Sequence, residues 1–389
     1  MPRKHLFKLI ALILPATVII ACGPLTIGVA AAATLDLTTR PQIWFGPLPP
    51  METHSGRPFI GSDDFMDLFT ASAPWDKAAS RVRVFELFGE WVSEDATDAE
   101  LRRVVADLNR RGIPIAVQVG PLNPTDAYGR GVEGFAGIQE GFRIARRIKQ
   151  AGGTISFVDF DEPFFFASIY DGPQSTRWSA EKVAAEVAEY VEAVRTVFPQ
   201  AAFGGSEPLL REPYVKTADL KKWIDAYQAA AGMPLAFLHL DLDYTRKDWP
   251  RAAKELEDFC RSRGVAFGLY YLGDAIDPTD EAWLSHAGER VKTYELAAGG
   301  DPDHVVFMSW HDRPDRVLPE TAPYTFTWFI NTYFEDKAAL GIRTAGVGAN
   351  LAYKKPAKAS RSLGENPAAN AVDGNSETWW ARAITRRSG

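Results

Sequence analysis

At 389 residues, 46% apolar and 24% charged, the chain carries enough apolar material for one large domain plus a fragment, or for two ordinary domains. That excludes an intrinsically disordered or low-complexity protein, and the formal charge of -7 leaves no basic footprint for nucleic acid. Only two cysteines are present, Cys22 and Cys260, which excludes a disulfide-stapled scaffold.

Residues 1–33 read as a targeting segment that stands outside the fold. Arg3, Lys4 and Lys8 form a basic start, residues 9–21 are almost wholly apolar, and small residues follow. The apolar run is too short to span a bilayer comfortably. Ala31-Ala32-Ala33 suits ordinary signal cleavage, whereas Ile19-Ile20-Ala21-Cys22 resembles the bacterial lipoprotein signal, in which the cysteine is lipidated. Both endings predict a protein outside the cytoplasm: secreted, periplasmic, or attached to the cell envelope by a lipid on Cys22.

From about residue 41 to 335, strand-like runs alternate with amphipathic helices. The predicted strands are 42–47, 81–88, 114–119, 154–161, 201–205, 235–243, 266–272 and 304–310. Thr97-Asp-Ala-Glu100 is a capping box, followed by Leu101, Val104, Val105 and Leu108 at helical spacing and closed by Gly112. Ser179 opens a helix with Val183, Val187, Val191 and Val194 on one stripe. Further helices start near Thr217, Pro250, Asp280 and Pro323, and weaker ones occupy 63–70 and 138–150. Cys260, beside Leu256 and Phe259 on one of these faces, reads as a buried inert thiol. This alternation is the arithmetic of an α/β chain folded as a (β/α)8 TIM barrel over residues 34–345. A doubly wound open sheet is the alternative, and it lacks a glycine-rich turn after the first strand.

Near residue 346 the composition shifts to Gly, Pro and Ser. Asn350-Leu-Ala, Lys355-Pro-Ala, Ala359-Ser360 and the run Pro367-Ala-Ala-Asn-Ala-Val-Asp-Gly-Asn375 with Thr378 and Trp380 resemble the opening of an F5/8 type C (discoidin-like) domain. Residues 346–389 are shorter than such a domain needs to close its jelly roll, so an incomplete β jelly-roll fragment is expected. The resemblance implies a structural calcium near the Asp-Gly-Asn turn, of which Asp373 and Asn375 supply only a part.

In an eight-fold barrel the site lies at the C-terminal mouth of the strands. There Thr154-Ile-Ser-Phe-Val-Asp-Phe-Asp-Glu-Pro163 delivers Asp159, Asp161 and Glu162. Buried carboxylates are costly unless solvated, paired or used, although an N-cap or a salt-bridged strand end would also account for an isolated Asp-Glu-Pro. Strand two adds Glu86, strand five Glu207 in a second Glu-Pro, strand seven Tyr271 and Asp274, and strand eight Trp310 and His311. Strand six alternates Leu238, Leu240 and Leu242 with His239, Asp241 and Asp243, which directs the ionisable face into the lumen ahead of Tyr244.

This convergence resembles the mouth of a (β/α)8 glycoside hydrolase, many of which hold the acid/base Glu in a dipeptide before Pro at the end of strand four. On that resemblance Glu162 is the general acid/base. Where those enzymes place a nucleophilic Glu at the end of strand seven, this chain reads Tyr270-Tyr271-Leu-Gly-Asp274, so Asp161 with Glu207 or with Asp241 are the other layouts. Glu86, Asp159, His239, Asp243, Tyr244, Tyr271, Trp310 and His311 are the candidate substrate-binding residues, with Trp91 as a further aromatic platform. The expected partner is a poly- or oligosaccharide, the expected state a monomer, and no cofactor is required. Two rivals stand beside this reading. One is a metal-dependent barrel isomerase or hydrolase using His239, Asp241, Asp243, Asp161, Glu162 and His311. The other is a non-catalytic glycan-binding protein.

Overall fold

The computed structural model describes residues 40–54, 57–210 and 215–339. The expected targeting segment with Cys22 and the stretch expected to be discoidin-like, with Asp373 and Asn375, lie outside the described residues.

Eight parallel strands close into a barrel: β1 (Gln42–Gly46), β2 (Val82–Phe88), β3 (Ile115–Val119), β4 (Ile155–Asp161), β5 (Ala202–Leu209), β6 (Phe237–Leu242), β7 (Ala266–Tyr270) and β8 (His304–Met308). Each strand pairs with its neighbour in sequence, and β8 returns to β1 with Gln42 opposite His304. The described residues also hold eight α-helices, one after each strand: α1 (Asp76–Ala79), α2 (Asp98–Arg111), α3 (Gly137–Gln150), α4 (Ala180–Arg195), α5 (Thr217–Ala231), α6 (Trp249–Arg263), α7 (Asp280–Val291) and α8 (Phe326–Ala339). The (β/α)8 barrel is therefore the fold, and the open-sheet alternative falls with the closing β1–β8 pair.

Local chemistry explains the elements. Thr97 accepts from the Glu100 N–H and the Glu100 carboxylate reaches back to the Thr97 N–H, while Gly112 ends α2 in the left-handed region. Leu101, Val104, Val105 and Leu108 are buried against the barrel, as are Val183, Val187, Val191 and Val194 of α4. Between β1 and β2 the sequence suggests a helix at 63–70, but that stretch forms a 3-10 turn, Phe65–Phe69, and the α-helix is Asp76–Ala79. Four residues are too few to show an amphipathic period, so α1 leaves no signature in the sequence. Cys260 is buried in α6, where burial pushes its thiol up to about 12.

The lumen is packed rather than hollow below the mouth. Trp44 lies 5.0 Å from Phe157, 4.8 Å from Phe237 and 4.7 Å from His239, ring centre to ring centre. This plug fills the lumen beneath the C-terminal mouth.

Candidate active site at the barrel mouth

A cavity of about 850 Å³ opens at the C-terminal ends of the strands. Its wall takes Asp161 and Glu162 from the end of β4, Asp241 from β6 and Trp310 from beyond β8. Loops and helix starts add Glu90, Glu94, Glu133 and Glu140, and among the described residues the lining includes no lysine, arginine or histidine.

The β4 end is held in an unusual conformation. Glu162 has φ 48°, a left-handed backbone that a non-glycine residue adopts only at a cost. The Glu162 N–H donates to Phe160 O of its own strand and to Ser206 O of neighbouring β5, each at 3.1 Å, which fixes it there. Gln118 Nε2 donates to Asp161 Oδ1 at 2.9 Å, which sets the orientation of the second carboxyl. Behind the strand, Glu207 accepts from the backbone N–H groups of Phe164 and Phe165 at 2.8 and 3.0 Å and so caps the turn that follows. Phe164 stacks on Trp223 at 5.9 Å and belongs to the core.

Glu133 has no counterpart in strand-end reasoning. It sits on the long loop between β3 and α3, and it reaches the mouth because that loop lies against the end of β4. Gly134, at φ 81°, makes the approach: a Cβ there would stand 3.1 Å from Asp161 O. The signal for it was the glycine punctuation of Gly129-Arg-Gly-Val-Glu-Gly134, which marks a backbone that side chains would exclude.

Burial and mutual repulsion both favour protons on these carboxyls. Burial raises Glu162 well above the usual carboxyl range, and the charges of Asp241, Glu133 and Asp161 raise it further. Asp161 moves the same way through burial and then through Glu133 and Asp159. Asp241 is pushed up to about 7 by burial, Glu133 and Asp243. Groups poised in this way can hold a proton at neutral pH and release it into a reaction.

The structure brings together Asp161, Glu162, Asp241 and Trp310 of the residues singled out in the sequence, and it sets the others elsewhere. Glu86, Asp159 and His239 point into the lumen but are 0% exposed, a layer below the cavity floor. Glu207 is also 0% exposed, because β5 runs to Leu209 instead of ending at 205. With Ser206 facing the lumen, the next side chain along faces the helices. The same alternation aims Tyr270 at Asp159, its hydroxyl donating at 3.3 Å, and sends Tyr271 outward to Glu295 at 2.9 Å.

Asp274 is spent on Arg290, and Asp243 Oδ1 accepts from the Thr245 N–H at 3.0 Å as a turn former. The Tyr244 hydroxyl donates to Tyr270 O at 2.5 Å, and His311 Nδ1 accepts from Trp283 Nε1 at 3.3 Å. Trp91 is buried against Phe65, 5.4 Å away. Of the six ligands of the metal-dependent alternative, Asp161, Glu162 and Asp241 line the cavity and His239, Asp243 and His311 do not. Among the described residues, the groups able to share an ion are Glu86/Asp159/His239 and Asp274/Asp277/His286.

No protein-family model matches the sequence, and no curated protein matches it. Solved structures of similar fold include xylanase 10B from Thermotoga maritima, 12% identical, covering 78% of this chain and 97% of the xylanase with a TM-score of 0.47. An endo-beta-1,4-mannanase double mutant from Cellulomonas fimi is 12% identical, covering 79% of this chain and 73% of the mannanase with a TM-score of 0.45. The 3-keto-D-glucoside 4-epimerase from E. coli is 12% identical, covering 75% of this chain and 100% of the epimerase with a TM-score of 0.39. These likenesses concern the barrel alone.

Proposed function

We propose that the chain is an exported glycoside hydrolase whose Glu162 serves as general acid/base at the barrel mouth. The observation that carries this reading is the meeting of Asp161, Glu162, Asp241 and Glu133 around one cavity whose lining, among the described residues, includes no basic side chain. Such a wall repels phosphate and carboxylate ligands and suits a neutral sugar, whose hydroxyls donate to carboxylates. Glu162, its proton held by burial and by its neighbours, would protonate the leaving oxygen of the glycosidic bond. A second carboxylate would attack the anomeric carbon or activate water; of the four carboxyls whose charges bear on Glu162, Asp161, Asp241 and Glu133 line the cavity and Glu207 does not. Trp310 supplies an aromatic face in the wall. This chemistry calls for no cofactor, and a monomer is sufficient for it.

The test is a screen of poly- and oligosaccharides with the wild type and Glu162→Gln. Turnover should fall by about 10²–10⁴-fold in the variant while glycan binding persists. Unchanged turnover would remove Glu162 from the role, and binding without turnover by the wild type would leave the non-catalytic alternative standing. Asn or Gln at 161, 241 and 133, each assayed with added azide, identifies the partner: rescue by the small anion marks the nucleophile's position.

A further inference from the structure

We propose that Glu86, Asp159 and His239 bind one divalent transition cation, of the zinc or manganese class, inside the barrel beneath the cavity floor. The three side chains come from β2, β4 and β6, alternate strands around the barrel, and each is 0% exposed. Their ligand atoms all lie within 4.8 Å of one another. His239 Nδ1 stands 3.4 Å from Asp159 Oδ2, the separation that two ligands of a tetrahedral ion show at ~2.0–2.1 Å from the metal.

What marks a ligand site here is a set of buried atoms that have only one another to face. Glu86 Oε1 and Oε2, Asp159 Oδ1 and His239 Nδ1 have no hydrogen-bond partner. Buried polar groups are seldom left so, and four converging on one point call for a shared partner. The other nitrogen of His239 is engaged: Nε2 lies 2.9 Å from His304 Nδ1. With the proton on Nε2, His304 orients the ring and leaves the Nδ1 lone pair facing the two carboxyls, the arrangement seen behind metal-bound histidines. Gly268 makes room for this imidazole pair, since a Cβ there would stand 2.6 Å from His239 Cδ2 and 2.9 Å from His304 Cβ.

Charge gives the valence. Two carboxylates and a neutral imidazole sum to -2, and among the described residues no lysine or arginine forms an ion pair with either carboxyl. A dication brings the buried cluster to neutrality. One imidazole with two carboxylates suits zinc or manganese and disfavours magnesium and calcium, which prefer all-oxygen shells. The half-buried Asp274/Asp277/His286 group makes the contrast: Arg290 already pairs with Asp274, and Asp277 already accepts from His286 at 3.0 Å. Because Glu86, Asp159 and His239 do not line the cavity, the ion's task is to fix β4 two residues before Asp161.

The full chain, expressed in medium supplemented with zinc and manganese and passed through metal-free buffer, should carry about one ion per chain by elemental mass spectrometry. Stripping it with a chelator under mild denaturant and refolding should lower Tm, and zinc or manganese should restore Tm with saturation at one equivalent. Glu86→Gln and His239→Gln should each lose at least about tenfold of the bound metal, while Lys77→Ala, remote from the lumen, retains it. Metal below about a tenth of an equivalent, with Tm indifferent to both ions, overturns the proposal. Glu86→Gln that folds and holds a full equivalent overturns it too, and if that variant does not fold, the wild-type metal content decides alone. Sugar turnover is measured separately, so either reading can fail without the other.

Discussion

Between the barrel and its helices, Glu295 accepts from Lys337 Nζ at 2.6 Å, Tyr271 Oη at 2.9 Å and Tyr333 Oη at 3.1 Å. Nearby, Glu257 accepts from Lys254 and Arg261 at 3.1 Å, from Tyr294 at 2.6 Å and from the Asp301 N–H at 3.0 Å. At the mouth, on the other side of the same sheet, Asp161 has Gln118, and the neighbouring carboxyls repel one another. The outer carboxyls are fully satisfied and serve to join helices. The inner ones are kept short of positive charge, which holds protons on them and leaves them available for chemistry. Residue type and depth alone do not distinguish the two sets; the partners do.

Four variants separate these roles. Glu162→Gln should have the largest effect on turnover, about 10²–10⁴-fold, with an unchanged unfolding midpoint in denaturant. Lys337→Met should do the reverse. It strands Glu295 as an unpaired buried charge and should cost about 3–5 kcal/mol of stability in a denaturant titration, with turnover per folded molecule unchanged.

Asp241→Asn tests the electrostatic coupling. Removing this charge lowers the raised proton affinity of Glu162, so the alkaline limb of kcat/KM should move to lower pH. The same variant alters stability in a defined window. Between the unfolded value of about 3.9 and the folded value of about 7, the native chain holds a proton on Asp241 that the unfolded chain has lost. Stability from this group is therefore complete below the unfolded value and drains away as pH rises through about 7. The variant should flatten that slope by up to about 1.4 kcal/mol per pH unit in urea melts taken from pH 4 to 7. Trp310→Ala should be the mildest, raising KM by the equivalent of about 0.5–1.5 kcal/mol while kcat holds.

The barrel was legible because its strands and helices repeat their apolar residues at periods of two and 3.6, as in Leu238-His239-Leu240-Asp241-Leu242 and along α2. Face could be read in this way; height could not. Asp159 and His239 do point inward, yet they lie about 6–7 Å of strand below Asp161 and Asp241, which is the difference between cavity wall and buried layer. Strand ends were the weak point, because a shift of one residue exchanges lumen for helix layer. Glu207 and Tyr271 were misplaced for that reason, each adjacent to the residue that does face inward. Glu133 was out of reach of local pattern altogether, since a loop's return to the mouth is a tertiary event, hinted at only by its glycines.

The left-handed backbone at Glu162 makes this position one where fitness and robustness pull apart. Glycine or asparagine would rest there with less torsional penalty, and either would delete the carboxyl. A library selected only for heat resistance should thus keep discarding this glutamate, whereas one selected on sugar release should keep restoring it.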